Sequence, residues 1–169
     1  MPRPTKPEYA VFYETYVSRV PEDDLTAAFR KHTASVLVFL NKIPAAKREF
    51  AYAPGKWTVK EVLQHIIDAE RVFAYRALNF ARKDANPLPG FDENEFAAVA
   101  RTEHREWNDM VEEFQFVRNA SDHFFRALNE EELSRTGVAS GNPISVRALG
   151  FIILGHAIHH MEVVKERYL

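Results

Sequence analysis

Apolar residues recur along this chain at steps of three and four in four long stretches, each closed by a segment that contains Pro or Gly. In the first, about Asp23 to Ile43, Leu25, Phe29, Val36, Phe39, Leu40 and Ile43 fall on one helical face, and Pro44 ends the run. The segment Ala51 to Lys56 (AYAPGK) reads as a turn. Thr58 followed by Glu61 is a capping-box pattern, which predicts a second helix running to about Arg82 with the stripe Val62, Ile66, Ala69, Phe73, Ala77 and Phe80. The third stretch, near Glu103 to Asn129, carries the strongest amphipathic signal, with Trp107, Met110, Val111, Phe114, Val117, Phe124, Phe125 and Leu128 on one face. A break from Gly137 to Pro143 precedes the fourth, which Ser145 caps and whose stripe is Leu149, Ile152, Ile153, His156, His160, Val163 and Val164.

Between the second and third stretches, the segment Asn86 to Gly90 (NPLPG) forces an extended excursion from about Asp84 to Arg101. Bundle connections usually span about 2–8 residues, so a link of this length is expected to be functional or to contain a short helix. No run of alternating polarity bounded by turn residues argues for a strand. The pattern therefore predicts an all-α fold, a four-helix bundle with a long second-to-third connection, compatible with either an up-down-up-down path or a crossover.

Composition adds limits. A chain of 169 residues fits one domain, 1–169, near the roughly 100–150 residues at which a single core forms. A hydrophobic fraction of 46%, with thirteen Phe and two Trp, supplies that core. The absence of Cys excludes disulfides, a thiolate metal site and a cysteine nucleophile. A formal net charge of −2 leaves no basic excess for nucleic acid or an anionic membrane surface. Met1 to Val11 holds Pro2, Pro4 and Pro7 where a secretory signal needs an apolar core, and no window reaches the roughly 18 apolar residues of a membrane span. A cytoplasmic protein is expected.

Candidate chemistry rests on the seven histidines. His156 and His160 lie four apart on one helix, so their rings share a face, and they interrupt an apolar stripe. Burying both without partners would cost about 1–3 kcal/mol per unsatisfied polar group, which favours a ligand or a hydrogen-bond network. His65, at the border of the second helix's stripe, is placed to add a third ligand from a facing helix. His32 falls on the apolar face of the first helix and is the candidate for an extra ligand. His159 points to the rim of its stripe, where it suits a supporting or surface role, and His104 and His123 read as surface or hydrogen-bonded core residues.

The chain also resembles the DinB-like superfamily of metal-binding four-helix bundles. The resemblance is carried by Tyr52-Ala-Pro-Gly-Lys-Trp57-Thr-Val-Lys-Glu61-Val-Leu-Gln-His65, by Asp68-Ala-Glu70-Arg71 and by Gly155-His156-Ala-Ile-His159-His160. It implies a His65, His156 and His160 triad with the remaining positions filled by water or substrate, and often a homodimer. It also implies a fold shared by thiol-dependent transferases and isomerases. Many relatives carry Gly-Gln after the last His, whereas this chain continues Met161-Glu162-Val163.

Three neutral imidazoles leave a divalent ion its full charge and open positions, the arrangement of a catalytic site. Zinc is the first assignment, with nickel and iron also suited to imidazole. The expected activity is that of a metal-dependent transferase using a low-molecular-weight thiol, or a hydrolase, acting on a small molecule. Asp68, Glu70 and Glu162 are the candidate acid/base groups. The alternative is a non-catalytic metal-binding or stress-response protein whose ion ties the second and fourth helices together.

Overall fold

A computed structural model describes residues 1–169. Three short 3₁₀ turns, Lys6–Glu8, Val11–Tyr13 and Thr102–His104, accompany eight helices: α1 (Glu14–Val17), α2 (Leu25–Lys42), α3 (Ala45–Arg48), α4 (Val59–Ala81), α5 (Glu93–Val99), α6 (Trp107–Arg126), α7 (Glu130–Ser134) and α8 (Val146–Arg167). The four long helices α2, α4, α6 and α8 form the bundle, and no helix is long and apolar enough to cross a membrane.

Local chemistry fixes the helix starts. Thr58 Oγ1 accepts from the Glu61 backbone N–H at 3.2 Å, and a Glu61 carboxylate oxygen accepts from the Thr58 N–H at 2.6 Å, so the box closes in both directions. Ser145 Oγ accepts from the Ala148 N–H at 3.1 Å at the head of α8. The third helix begins at Trp107 rather than near Glu103, because Arg101 is left-handed (φ 51°) and the turn Thr102–His104 intervenes.

Consecutive long helices do not all sit side by side. α2 contacts α6 and α8, and α4 contacts the same two. Consecutive long helices α2 and α4 therefore occupy opposite corners, as do α6 and α8. Residues 43–58, with α3 inside them, make the first diagonal step. The second link holds α5, in keeping with its length.

The Gly- and Pro-containing break before α8 folds as a hairpin, β1 (Thr136–Ala139) against antiparallel β2 (Asn142–Ser145). Its two turn residues, Ser140 (φ 52°) and Gly141 (φ 75°), both have positive φ, the type I′ geometry that two-residue hairpins require. Leu88 joins the hairpin edge, donating its N–H to the Val138 carbonyl at 2.9 Å and accepting from the Ser140 N–H at 3.1 Å. The long excursion is thereby tied to the end of the bundle.

The buried apolar residues form two clusters. One takes Leu25 and Phe29 of α2, Phe73 and Phe80 of α4, Phe125 of α6 and Phe151 of α8; the other takes Val36 and Leu40, Ile66 and Ile67, Phe114, and Met161 and Val164 of the same helices. Buried polar side chains occupy the level between them: His156 on α8, Glu70 on α4 and Arg118 on α6. Arg118 and Glu70 pair there, with the Arg118 Nη2 2.7 Å and its Nε 2.9 Å from the carboxylate, while the buried Nη1 has no partner.

Candidate metal centre

His65 on α4 and His156 and His160 on α8 meet because α4 and α8 share the most extensive helix contact in the fold. His156 Nε2 lies 3.0 Å from His65 Nε2 and 3.1 Å from His160 Nε2. The three residues form a group that could hold a metal ion, with all ligand atoms within 4.8 Å of one another. His156 is buried and the other two are part-buried.

The surroundings keep these rings uncharged. Burial lowers His65 to about 4, against the opposing pull of Glu93. Burial and the neighbouring His65 lower His160 to about 3, and burial with His160 and His65 beside it holds His156 well below the ordinary imidazole value. Neutral imidazole has one donor and one acceptor nitrogen. His156 Nε2 can therefore make a sound hydrogen bond to only one of its two Nε2 neighbours. A cation accepting a lone pair from each ring satisfies all three, and nitrogens bound at about 2.0–2.1 Å to one ion lie near the spacings seen here. The donor set fits a divalent ion.

Aromatic rings frame the group. Trp57 packs on His65 at 4.9 Å between centroids, and Tyr16 and Phe73 meet His156 edge-on at 5.2 and 5.8 Å. Tyr16 reaches this position because a Cβ on Gly155 would stand 2.0 Å from the Tyr16 carbonyl oxygen, so only glycine lets α1 lie directly on α8. A cavity of about 470 Å³ is lined by all three histidines, by these aromatic rings and by the polar side chains Arg76, Glu93 and Ser140.

The other candidates do not join the group of three. Glu70 is committed to Arg118 inside the core. Asp68, raised by burial against the lowering effect of Gln64, accepts from Gln64 at 2.9 Å and lines a different cavity with Arg71 and Arg105. Glu162 is exposed and pairs with Arg19 at 3.0 Å. His32 Nε2 contacts Glu22 at 2.7 Å. His159 packs on Tyr16 and His160, and its buried Nδ1 has no hydrogen-bond partner. His104 and His123 stay near the surface.

Three contributions to the cavity escaped sequence reasoning. Glu93 follows Asp92, whose side chain caps α5 by accepting from the Asn94 and Glu95 N–H groups; the length of the excursion was the signal available. Arg76 follows His65 by three helical turns, which puts both on one face of α4. Phe12, Tyr13 and Tyr16 come from the Pro-rich start of the chain, where periodicity carries no message.

The chain is similar to known proteins in both sequence and fold. A family model described as DinB superfamily matches residues 28–164. Among solved structures, YfiT from Bacillus subtilis, described as a probable metal-dependent hydrolase with an unusual four-helix bundle topology, superposes with a TM-score of 0.70 at 15% identity, covering 83% of this chain and 84% of that one. No curated protein matches.

Proposed function

The chain belongs to the DinB superfamily, and from that premise we propose that it holds one divalent metal ion through His65, His156 and His160 and hydrolyses a small molecule bound in the adjoining cavity. The single observation that carries the reading is the convergence of three uncharged imidazole nitrogens, at 3.0 and 3.1 Å, on the wall of an open cavity. A structural ion would have its remaining positions closed by protein, and no fourth ligand group joins the three. The cavity therefore favours catalysis over a purely architectural tie.

An ion held there supplies Lewis acidity, bringing the pKa of a bound water toward about 7. The chain supplies the rest. Trp57 and Phe73 exclude bulk water from the imidazoles and present an apolar surface to the body of the substrate. Glu93 brings a carboxylate to the same cavity, close enough to act electrostatically on His65 and Tyr16, and its oxygens can accept the proton that an attacking water must lose. Transfer to a low-molecular-weight thiol is the alternative use of the same site. Hydrolysis is preferred because YfiT, similar in fold, is described as a probable metal-dependent hydrolase.

The test is elemental analysis of protein expressed without an affinity tag, followed by a hydrolysis screen over small esters and amides. One equivalent of a divalent ion and an activity that a chelator removes are expected. Metal-free protein as isolated that takes up no ion on incubation with zinc, nickel or iron would defeat the reading.

A further inference from the structure

Two arginines are almost wholly buried in this fold, and only one has its charge compensated. Arg118 is bonded to both carboxylate oxygens of Glu70. Arg76 is 2% exposed, yet no carboxylate stands within ion-pair reach of it. Its Nη2 donates to the Pro89 carbonyl at 2.8 Å and to Ser140 Oγ at 3.0 Å, and the guanidinium also lies beside the Tyr13 hydroxyl. All of these partners are neutral. A buried cation without a counter-charge is costly, and the cost is recovered where a ligand brings the missing anion.

The position of Arg76 says which ligand that is. Arg76 lines the same cavity as the three histidines. Eleven residues separate it from His65, about 16 Å along one face of α4, with the small side chain of Ala69 leaving space between them. The Arg76 guanidinium carbon is 5.9 Å from the Phe73 ring centre, and that ring is in turn 5.8 Å from the His156 ring. A cation at one end, an aromatic floor and a group of imidazole nitrogens at the other define an elongated site.

We propose that Arg76 is a specificity-determining residue that binds the anionic group of the substrate, so that the cavity accepts a small molecule carrying a carboxylate or a phosphate on an apolar spacer, with the reacting bond at the histidine end. The inference takes from the proposed function only that this cavity receives the substrate. Ser140, held in the left-handed region by the hairpin turn, and the Pro89 carbonyl hold the guanidinium in place for this role. An arginine serving only to tie the hairpin to the excursion has no reason to distinguish an acid from its amide.

The test is calorimetric titration of chelator-treated protein with 3-phenylpropanoate, phenyl phosphate and the neutral 3-phenylpropanamide. Working without metal keeps the anions from binding through the ion, so failure here leaves the metal reading intact, and failure of the metal reading leaves this result standing. At least one anion is expected to bind about tenfold or more tightly than the amide, and which one separates a carboxylate from a phosphate substrate. Arg76→Gln should reduce that anion to the level of the amide, and Arg76→Lys should retain part of the preference. Equal binding of all three ligands to the wild-type protein overturns the proposal, as does a preference that survives in folded Arg76→Gln. Should Arg76→Gln fail to fold, the Arg76 Nε–H resonance of the wild-type protein decides: a shift on titration with the anion but not the amide supports the proposal, and no shift refutes it.

Discussion

His32 and the His65–His156–His160 group both turn imidazoles into the body of the protein, and they differ in what faces the ring. His32 meets the Glu22 carboxylate at 2.7 Å; its side chain is 12% exposed, and its polarity is answered by an acid. The other three meet each other, with no acid in contact. The same contrast separates Arg118, paired with Glu70, from Arg76, paired with no acid. Burial alone therefore does not mark a functional group in this fold. We propose that burial without a counter-charge on the cavity wall does, because an interior polar group left uncompensated is costly unless a ligand answers it.

His156→Ala should abolish metal retention, exceeding the roughly 10–100-fold loss typical when a residue merely supporting a ligand is removed, whereas His32→Ala should leave metal content unchanged. Elemental analysis of both variants checks this.

A smaller effect follows from acid. His65 lies at about 4 in the folded protein, below the ordinary 6.5, so folding favours its neutral form. In metal-free protein the stability this represents, about 3 kcal/mol, is full above pH 6.5 and is lost as the pH falls from 6.5 through 4. The Glu22 carboxyl moves the other way: burial raises it, but Lys31 and His32 outweigh that and hold it at about 2. Its contribution is full above its ordinary 4.5 and disappears only as the pH falls toward 2. Urea denaturation of metal-free protein across pH 3 to 8 should show the histidine-dependent loss first, and His65→Gln should flatten that part of the curve.

Next in size is Gly155→Ala. The added methyl collides with the Tyr16 backbone, which should lift α1 from α8 at a cost of about 1–3 kcal/mol in thermal or urea unfolding and loosen the aromatic cover of His156. The smallest effect belongs to Glu162→Gln, an exposed partner of Arg19, expected to change stability by less than about 0.5 kcal/mol and metal content not at all.

Helices were legible because their signals are local. The expected first helix, about Asp23 to Ile43, corresponds to α2 (Leu25–Lys42), and the Thr58–Glu61 box and the Ser145 cap form as their side-chain chemistry dictates. The diagonal placement of α2 and α4 was not legible, since periodicity gives a helix its buried face but not its neighbour. The hairpin escaped because its eight strand residues show no alternation, and its register is held by the Ser140-Gly141 turn and the edge contact with Leu88. At the candidate site, a spacing of four exposed the His156 and His160 pair. Glu93 and the N-terminal aromatic residues reach the cavity through long-range packing, which leaves no mark on neighbouring sequence, whereas Arg76 shares the His65 face of α4 and its eleven-residue spacing was the signal available.

The most direct measurement is a crystal structure of the metal-loaded protein with data collected at the absorption edge of the bound ion. A three-imidazole metal centre gives one anomalous peak bonded to the Nε2 atoms of His65, His156 and His160, facing the cavity lined by Arg76 and Glu93. An occupied ion at His32 and Glu22 or at the surface, with the three rings left hydrogen-bonded to one another or to water, would contradict it.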